Sequence, residues 1–405
     1  MDTSKIRNDF PALSKNPGLI YFDNACTTLK PKKVIDAITA YYSEYSACAG
    51  RSNHSLSRKT DEAFSRSRET VAKFIHAKPE AVVWVRNTTE GINTVAEGFD
   101  YSKRKKVLTS NLEHHSMLLP FQRLMHEGKI SLEFVKADSQ GRFDPAMWEG
   151  AIDSQTALVA VHHTTNTTGA SPPLQQIITA AHGHGAKVLL DCAQGAPHSP
   201  IDLGKLDADF IAFSSHKMCG PTGIGVLAGK AEALESLRTH NIGGETISSA
   251  TLDSHVPLPL PKRFEAGIQH YAGAIGLAAA CDYLSSIGMG KISEHEKMLV
   301  QALVREIESD SELCKKITIY GPADPRLRNS AILSFNLSGI TAHQVSITAD
   351  KISGIALRSG LFCAQPAMEH FGAQGGAVRA SLYLYNTQDE IVKCVQTLKQ
   401  ISKLS

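Results

Sequence analysis

Lys217 stands in the pentapeptide Ser214-Ser215-His216-Lys217-Met218, at the end of the apolar run Asp209-Phe210-Ile211-Ala212-Phe213. The glycine-rich Gly220-Pro221-Thr222-Gly223-Ile224-Gly225 follows. A lysine so placed can form a Schiff base with an aldehyde cofactor, while the neighbouring Ser214 and His216 bond a phosphate. Upstream, Asp191 closes the apolar Leu189-Leu190-Asp191. A carboxylate at a strand end can keep the ring nitrogen of pyridoxal phosphate (PLP) protonated, so that the ring acts as an electron sink. Lys217 alone would be an ordinary solvated charge. The order strand–Asp, strand–Ser-x-His-Lys, glycine-rich turn is what points to PLP.

Other polar residues fall at strand ends. Thr88 and Thr89 follow the apolar residues 81–85 and open a helix, where hydroxyls and free N–H groups cradle a phosphate. An ordinary threonine cap fits the same position. His114 follows residues 106–110; its ring can stack on a pyridine and move protons. A surface turn or a metal ligand is the other reading of His114-His115, though no third ligand lies nearby. Asn166 follows residues 157–161 and suits a cofactor oxygen or a substrate carboxylate, or simply a turn.

The elements that position these groups alternate. Strands are expected at residues 81–85, 106–110, 132–136, 157–161, 187–190 and 210–213. Helices are expected from 88 to 98 and 115 to 126, and near 145–152 and 175–182. That alternation means crossover units and a mainly parallel α/β sheet, whose strands are apolar on both faces. The last third reads as a smaller α+β domain. Helices are expected at 271–287, 293–308, 342–349 and 388–402, with strands at 317–320, 332–336 and 378–382. The proline-rich residues 256–261 read as extended and irregular, a loop over the active site or a subunit interface.

The chain has 405 residues, enough for two domains. Its 42 Lys+Arg balance 40 Asp+Glu, so no nucleic-acid footprint is expected. The basic Lys103-Arg104-Lys105-Lys106 reads as a solvated loop. Eight scattered cysteines form no C-x-x-C pair. The N-terminus shows no apolar signal region, and no 18-residue apolar run exists. A soluble, cytoplasmic protein without membrane contact is expected.

Taken in order, these motifs resemble the group II cysteine desulfurases, which include selenocysteine lyases, within the class V aminotransferase superfamily. The resemblance runs from Asp9-Phe10-Pro11 and Tyr21-Phe22-Asp23-Asn24-Ala25 to Arg358-Ser359-Gly360-Leu361-Phe362-Cys363 and Val378-Arg379-Ala380-Ser381. It implies a PLP-dependent transferase type I fold, with a large seven-stranded sheet domain and a smaller domain built from both chain ends. We place the boundaries at residues 1–20 (small domain), 21–265 (PLP-binding domain) and 266–405 (interdomain helices and small domain).

The resemblance also implies roles. Lys217 holds PLP, Asp191 pairs with its ring nitrogen and Gln194 bonds its phenolic oxygen. His114 stacks on the ring. Thr89, Ser214 and His216 hold the phosphate with Thr88 beside them. Asn166 and Arg379 meet the substrate carboxylate, with Arg358 at the same site; Arg379 by itself would equally be a structural ion-pair partner. Cys363 takes sulfur from L-cysteine as a persulfide, releasing L-alanine. As a lone thiol it would more commonly be a small buried apolar group. Cys26, Cys48 and Cys219 lie in segments that can approach the site. A homodimer, a sulfur-acceptor protein and a place in iron–sulfur cluster assembly are further implications. Selenocysteine lyase, another class V aminotransferase or epimerase, and a non-catalytic sulfur-transfer partner on the same fold are the alternatives.

Three differences from the family pattern stand out. Leu361 and Phe362 replace two histidines before the thiol. Ile268 replaces a threonine that meets the neighbouring subunit's cofactor phosphate. Cys219 replaces a tyrosine.

Overall fold

Strands buried on both faces need helices above and below them, and the chain supplies both. The computed structural model describes residues 1–50 and 52–404. Seven strands form the large sheet, in the spatial order Val82–Val85, Gly225–Gly229, Phe210–Ser214, Lys187–Asp191, Thr156–His162, Lys106–Ser110 and Ser131–Val135. Gly225–Gly229 runs antiparallel to both neighbours, and the remaining pairings are parallel. Every residue of Phe210–Ser214 and of Thr156–His162 is buried, as expected of strands covered on both faces.

The six expected strands of this sheet are present, with ends moved by a residue or so. The seventh, Gly225–Gly229, lies where the sequence shows only a glycine-rich stretch. Helices Thr88–Gly98 and His115–His126 match their expected spans. Asn87 starts the first, its side chain accepting from Glu90 N at 3.0 Å. His114 starts the second by accepting from Ser116 N at 3.0 Å.

The smaller sheet orders its antiparallel strands Ile317–Tyr320, Ile332–Leu337, Ala377–Ser381 and Arg358–Gly360. The last of these is not among the expected strands. The start of the chain divides between the two cores. Ile6, Phe10 and Leu13 pack in the large core, whereas Ile20 and Phe22 pack in the small one. Residues 256–261 are also less irregular than expected, because His255–Pro257 pairs with Ile247–Ala250 in an exposed hairpin.

Two straps hold the domains together. One is Asn24–Lys30. Asn24 Nδ2 donates to Ser381 O at 2.7 Å, and Ala25 N donates to Ser381 Oγ at 2.9 Å. The other end of this segment reaches the lysine turn, where Thr28 N and Lys30 Nζ donate to His216 O at 3.0 and 2.9 Å. The second strap centres on Arg328, which is fully buried and donates to Thr168 O, Tyr320 O and Pro322 O.

Candidate active site

The C-terminal ends of the parallel strands and one edge of the small sheet enclose a cavity of about 510 Å³. Thr88, Thr89, His114, Asn166, Asp191, Gln194, Ser214, His216, Lys217, Arg358, Cys363 and Arg379 all line it. Residues separated by up to 291 positions along the chain thus share one space.

Lys217 sits on the single turn Ser215–Lys217 that ends strand Phe210–Ser214. Its ammonium is lowered from the ordinary lysine value, chiefly by burial and further by Arg379, while Asp191 opposes the shift. No hydrogen bond or ion pair holds its Nζ among the described residues. Asp191 ends the adjacent strand and accepts from Ala193 N at 2.8 Å. Burial raises its carboxyl, with the Ala193 bond and Lys217 pulling the other way. A buried acid and a buried, uncommitted amine on one cavity wall are groups awaiting partners.

His114 is pushed down to about 3, by burial first and then by Lys217, His115 and Arg379. Its Nδ1 accepts from Ser116 N, so the neutral ring carries its proton on Nε2. Ser116 Oγ in turn bonds Thr89 Oγ1 at 2.7 Å. His216 is lowered to about 4 by burial, Lys217 and Lys30. Thr88 is turned inward: its N–H and hydroxyl both meet Ser214 Oγ, at 2.8 and 2.7 Å. It therefore braces Ser214 on the wall that it shares with Thr89 and His216.

Arg379, 3% exposed, comes from strand Ala377–Ser381. Its Nη1 donates to Asn166 O at 3.1 Å, and Nη2 stands 3.5 Å from Asp23 Oδ1. Its Nε has no partner. The structural ion pair and the cavity position are both real, since the contact to Asp23 is long and Arg379 also lines the cavity. Asn166 is tied differently from expectation: its amide donates to Phe362 O at 2.8 Å. Arg358 is exposed at the rim.

Cys363 is exposed and Phe362 buried. Both have φ near +50° (55° at Phe362 and 53° at Cys363), an uncommon region for residues with side chains. Three contacts hold that turn. Asn166 grips Phe362 O, His115 N donates to Cys363 O at 2.7 Å, and Arg379 lies 4.8 Å from the centre of the Phe362 ring. The apolar replacement at 362 thus seats the guanidinium. Cys26 lines the cavity, Cys219 is buried in the core and Cys48 is exposed outside the cavity. Ile268, 65% exposed, lies beside a separate cavity with Arg86, Gln269 and His270.

Sequence reasoning did not single out His162, whose Nδ1 meets the buried Glu113 at 2.8 Å beside Asp191. Its only signal was its place at the end of a strand. Thr164, Thr165 and Gln365 were likewise unassigned, and all line the cavity.

The Aminotransferase class-V family model matches residues 20–393. The chain belongs to the class V aminotransferase family. It is 40% identical over 401 residues to a probable cysteine desulfurase of Synechocystis, covering 97% of this chain and 94% of that one. Among solved structures of the family, the apo cysteine desulfurase of Thermococcus onnurineus NA1 superposes with a TM-score of 0.92. That pair is 37% identical, and the match covers 99% of this chain and 97% of the other. The Escherichia coli cysteine desulfurase CsdA, an S-sulfonic acid form, gives a TM-score of 0.89 at 31% identity, covering 100% and 99%.

Proposed function

We propose that this class V chain is a PLP-dependent cysteine desulfurase, converting L-cysteine to L-alanine with transfer of the sulfur to Cys363. One observation carries the reading: an exposed thiol stands at the rim of the same cavity that holds a buried, unpartnered lysine. Full-length similarity to cysteine desulfurases supports it.

The residues present fit PLP. A buried lysine whose ammonium is lowered from its ordinary value adds to an aldehyde more readily than a solvated one. A buried Asp191 without a cation gains one in a protonated ring nitrogen. Hydroxyls and a helix start suit a phosphate. Bound there, PLP supplies an electron sink for the charge left when the substrate Cα loses its proton. Lys217, in the cavity wall with no partner on its Nζ among the described residues, takes and returns that proton. Arg379, which lines the cavity beside Asn166, orients the substrate carboxylate with its guanidinium. His114 holds its Nε2 proton over the cavity and stays neutral. The Cys363 sulfur, as a thiolate, attacks the substrate sulfur. An S–S bond forms as the Cβ–S bond breaks, the electron pair leaves with carbon, and protonation completes alanine. The persulfide on the exposed Cys363 then meets a thiol acceptor, a sulfur-accepting protein in iron–sulfur assembly. Eight free cysteines suit a reducing cytoplasm.

The enzyme works as a homodimer in this reading. Leu252, Val256, Ile242 and Ile268 are all more than half exposed, in one stretch of chain, and such apolar surface is a site for association. Residues 264–270 then reach the partner.

The cofactor reading has a direct test. Wild type incubated with PLP should gain a visible absorption band and retain the cofactor after borohydride reduction, while Lys217→Ala should do neither and should lose turnover. Unchanged borohydride-fixed PLP in Lys217→Ala would refute it.

A further inference from the structure

Gln194 is held at both ends of its amide. Its Nε2 donates to Ala25 O at 2.8 Å, and its Oε1 lies 3.3 Å from His198 Nε2. His198 is 2% exposed and Glu296, from helix Met289–Ser309, is fully buried. His198 Nδ1 lies 3.1 and 2.9 Å from the two Glu296 oxygens. Tyr383 meets the histidine ring edge-on at 5.2 Å, its hydroxyl spent on Pro197 O at 3.0 Å. Asp191 and Lys217 share the cavity wall with Gln194.

Proton logic follows from the end of this chain of contacts. A main-chain carbonyl only accepts, so Ala25 O requires the NH₂ of Gln194. The amide oxygen therefore faces His198, and His198 Nε2 must carry a proton. Two arrangements satisfy the other ring nitrogen. Either His198 is an imidazolium against a Glu296 carboxylate, or a neutral Nε2–H ring accepts from a protonated Glu296. Both place one proton between the pair, leave it neutral overall and keep Nε2–H on Gln194. The second N–H of Gln194 has no acceptor among the described residues, and Gln194 lines the cavity.

We infer that His198, set by Glu296, is a positioning residue that fixes the Gln194 amide so that its free N–H faces the phenolic oxygen of the bound cofactor. The inference rests on the PLP reading above. An N–H donated to that oxygen stabilises its negative charge, which is greatest once the lysine-bound cofactor has lost its proton. Loosening the amide should therefore raise the pH midpoint of the cofactor's visible absorption.

The test uses the holoenzyme. In wild type labelled with ¹⁵N-histidine, the His198 Nε2 signal should be that of a protonated nitrogen; a bare Nε2 overturns the inference without any variant. Gln194→Ala should raise the absorption midpoint by about one unit, the loss of one hydrogen bond to a charged oxygen. His198→Leu should raise it by about half a unit, and His198→Gln, which keeps an amide donor, should restore the wild-type value. A merely structural His198 would lower the melting temperature and leave the midpoint in place, which refutes the positioning role. If Gln194→Ala itself leaves the midpoint unmoved, the assigned cofactor contact fails and the inference falls with it.

Discussion

A histidine whose charged form is suppressed can serve at neutral pH without becoming a cation beside Lys217 and Arg379. His114 is such a group, lowered to about 3 from an ordinary value of 6.5. Between those values the unfolded chain binds the proton and the folded one does not. Its contribution to stability therefore rises with pH across that window and is lost on acidification. NMR should find the His114 ring neutral from about pH 8 down to about pH 5; a titration centred near 6.5 would contradict the burial argument. Lys217, Asp191 and His114 were legible as residues because their types and strand-end positions state their chemistry. The tie from Asn166 to Phe362 O was not, since main-chain acceptors leave no mark in sequence. Nor did the sequence show that the N–H and hydroxyl of Thr88 both engage Ser214, because a cap and a ligand contact use the same hydroxyl.

Strand ends and helix starts do the positioning at the next scale. Lys187–Asp191 was readable from its continuous apolar run. Gly225–Gly229 was not, because its glycines disfavour a strand by themselves and its place comes from pairing with two neighbours. Gly225 has a second reason to lack a side chain. A Cβ there would stand 2.6 Å from Phe213 O and 2.8 Å from Asn87 Cα. Asn87 begins the helix that carries Thr88 and Thr89, so the contact is transmitted to the proposed phosphate site. Gly225→Ala should cost about 1–3 kcal/mol in denaturant unfolding and weaken PLP retention. Wild-type stability together with wild-type PLP affinity would show that the backbone yields freely at this point. The hairpin over 247–257 escaped sequence reading for the opposite reason. Its proline, Pro257, argues against a strand, yet it sits on an exposed edge where a missing N–H costs little.

The whole molecule brings Lys217, Arg379 and Cys363 together from two sheets and a rim turn, with Asn24–Lys30 strapped across the domains. The two-domain α/β order was legible from alternating strands and helices. The division of the first 22 residues between two cores was not, because local pattern does not say which core an apolar side chain enters. The proposed homodimer is tested in solution. Sedimentation should give twice the 43.7 kDa chain, and replacing Leu252 and Ile268 by Asp should shift the protein toward monomer. A fully active wild-type monomer at micromolar concentration would oppose that reading. The central claim concerns where the sulfur goes. Holoenzyme given L-cysteine without a reductant should release alanine and gain one sulfur atom on the peptide bearing Cys363, as read by mass spectrometry with an alanine assay. Cys363→Ser should still bind PLP and L-cysteine but lose turnover more than about a hundredfold, near 2.7 kcal/mol in barrier. Alanine released by Cys363→Ser at the wild-type rate, with no sulfur on Cys363 in the wild type, would contradict the account.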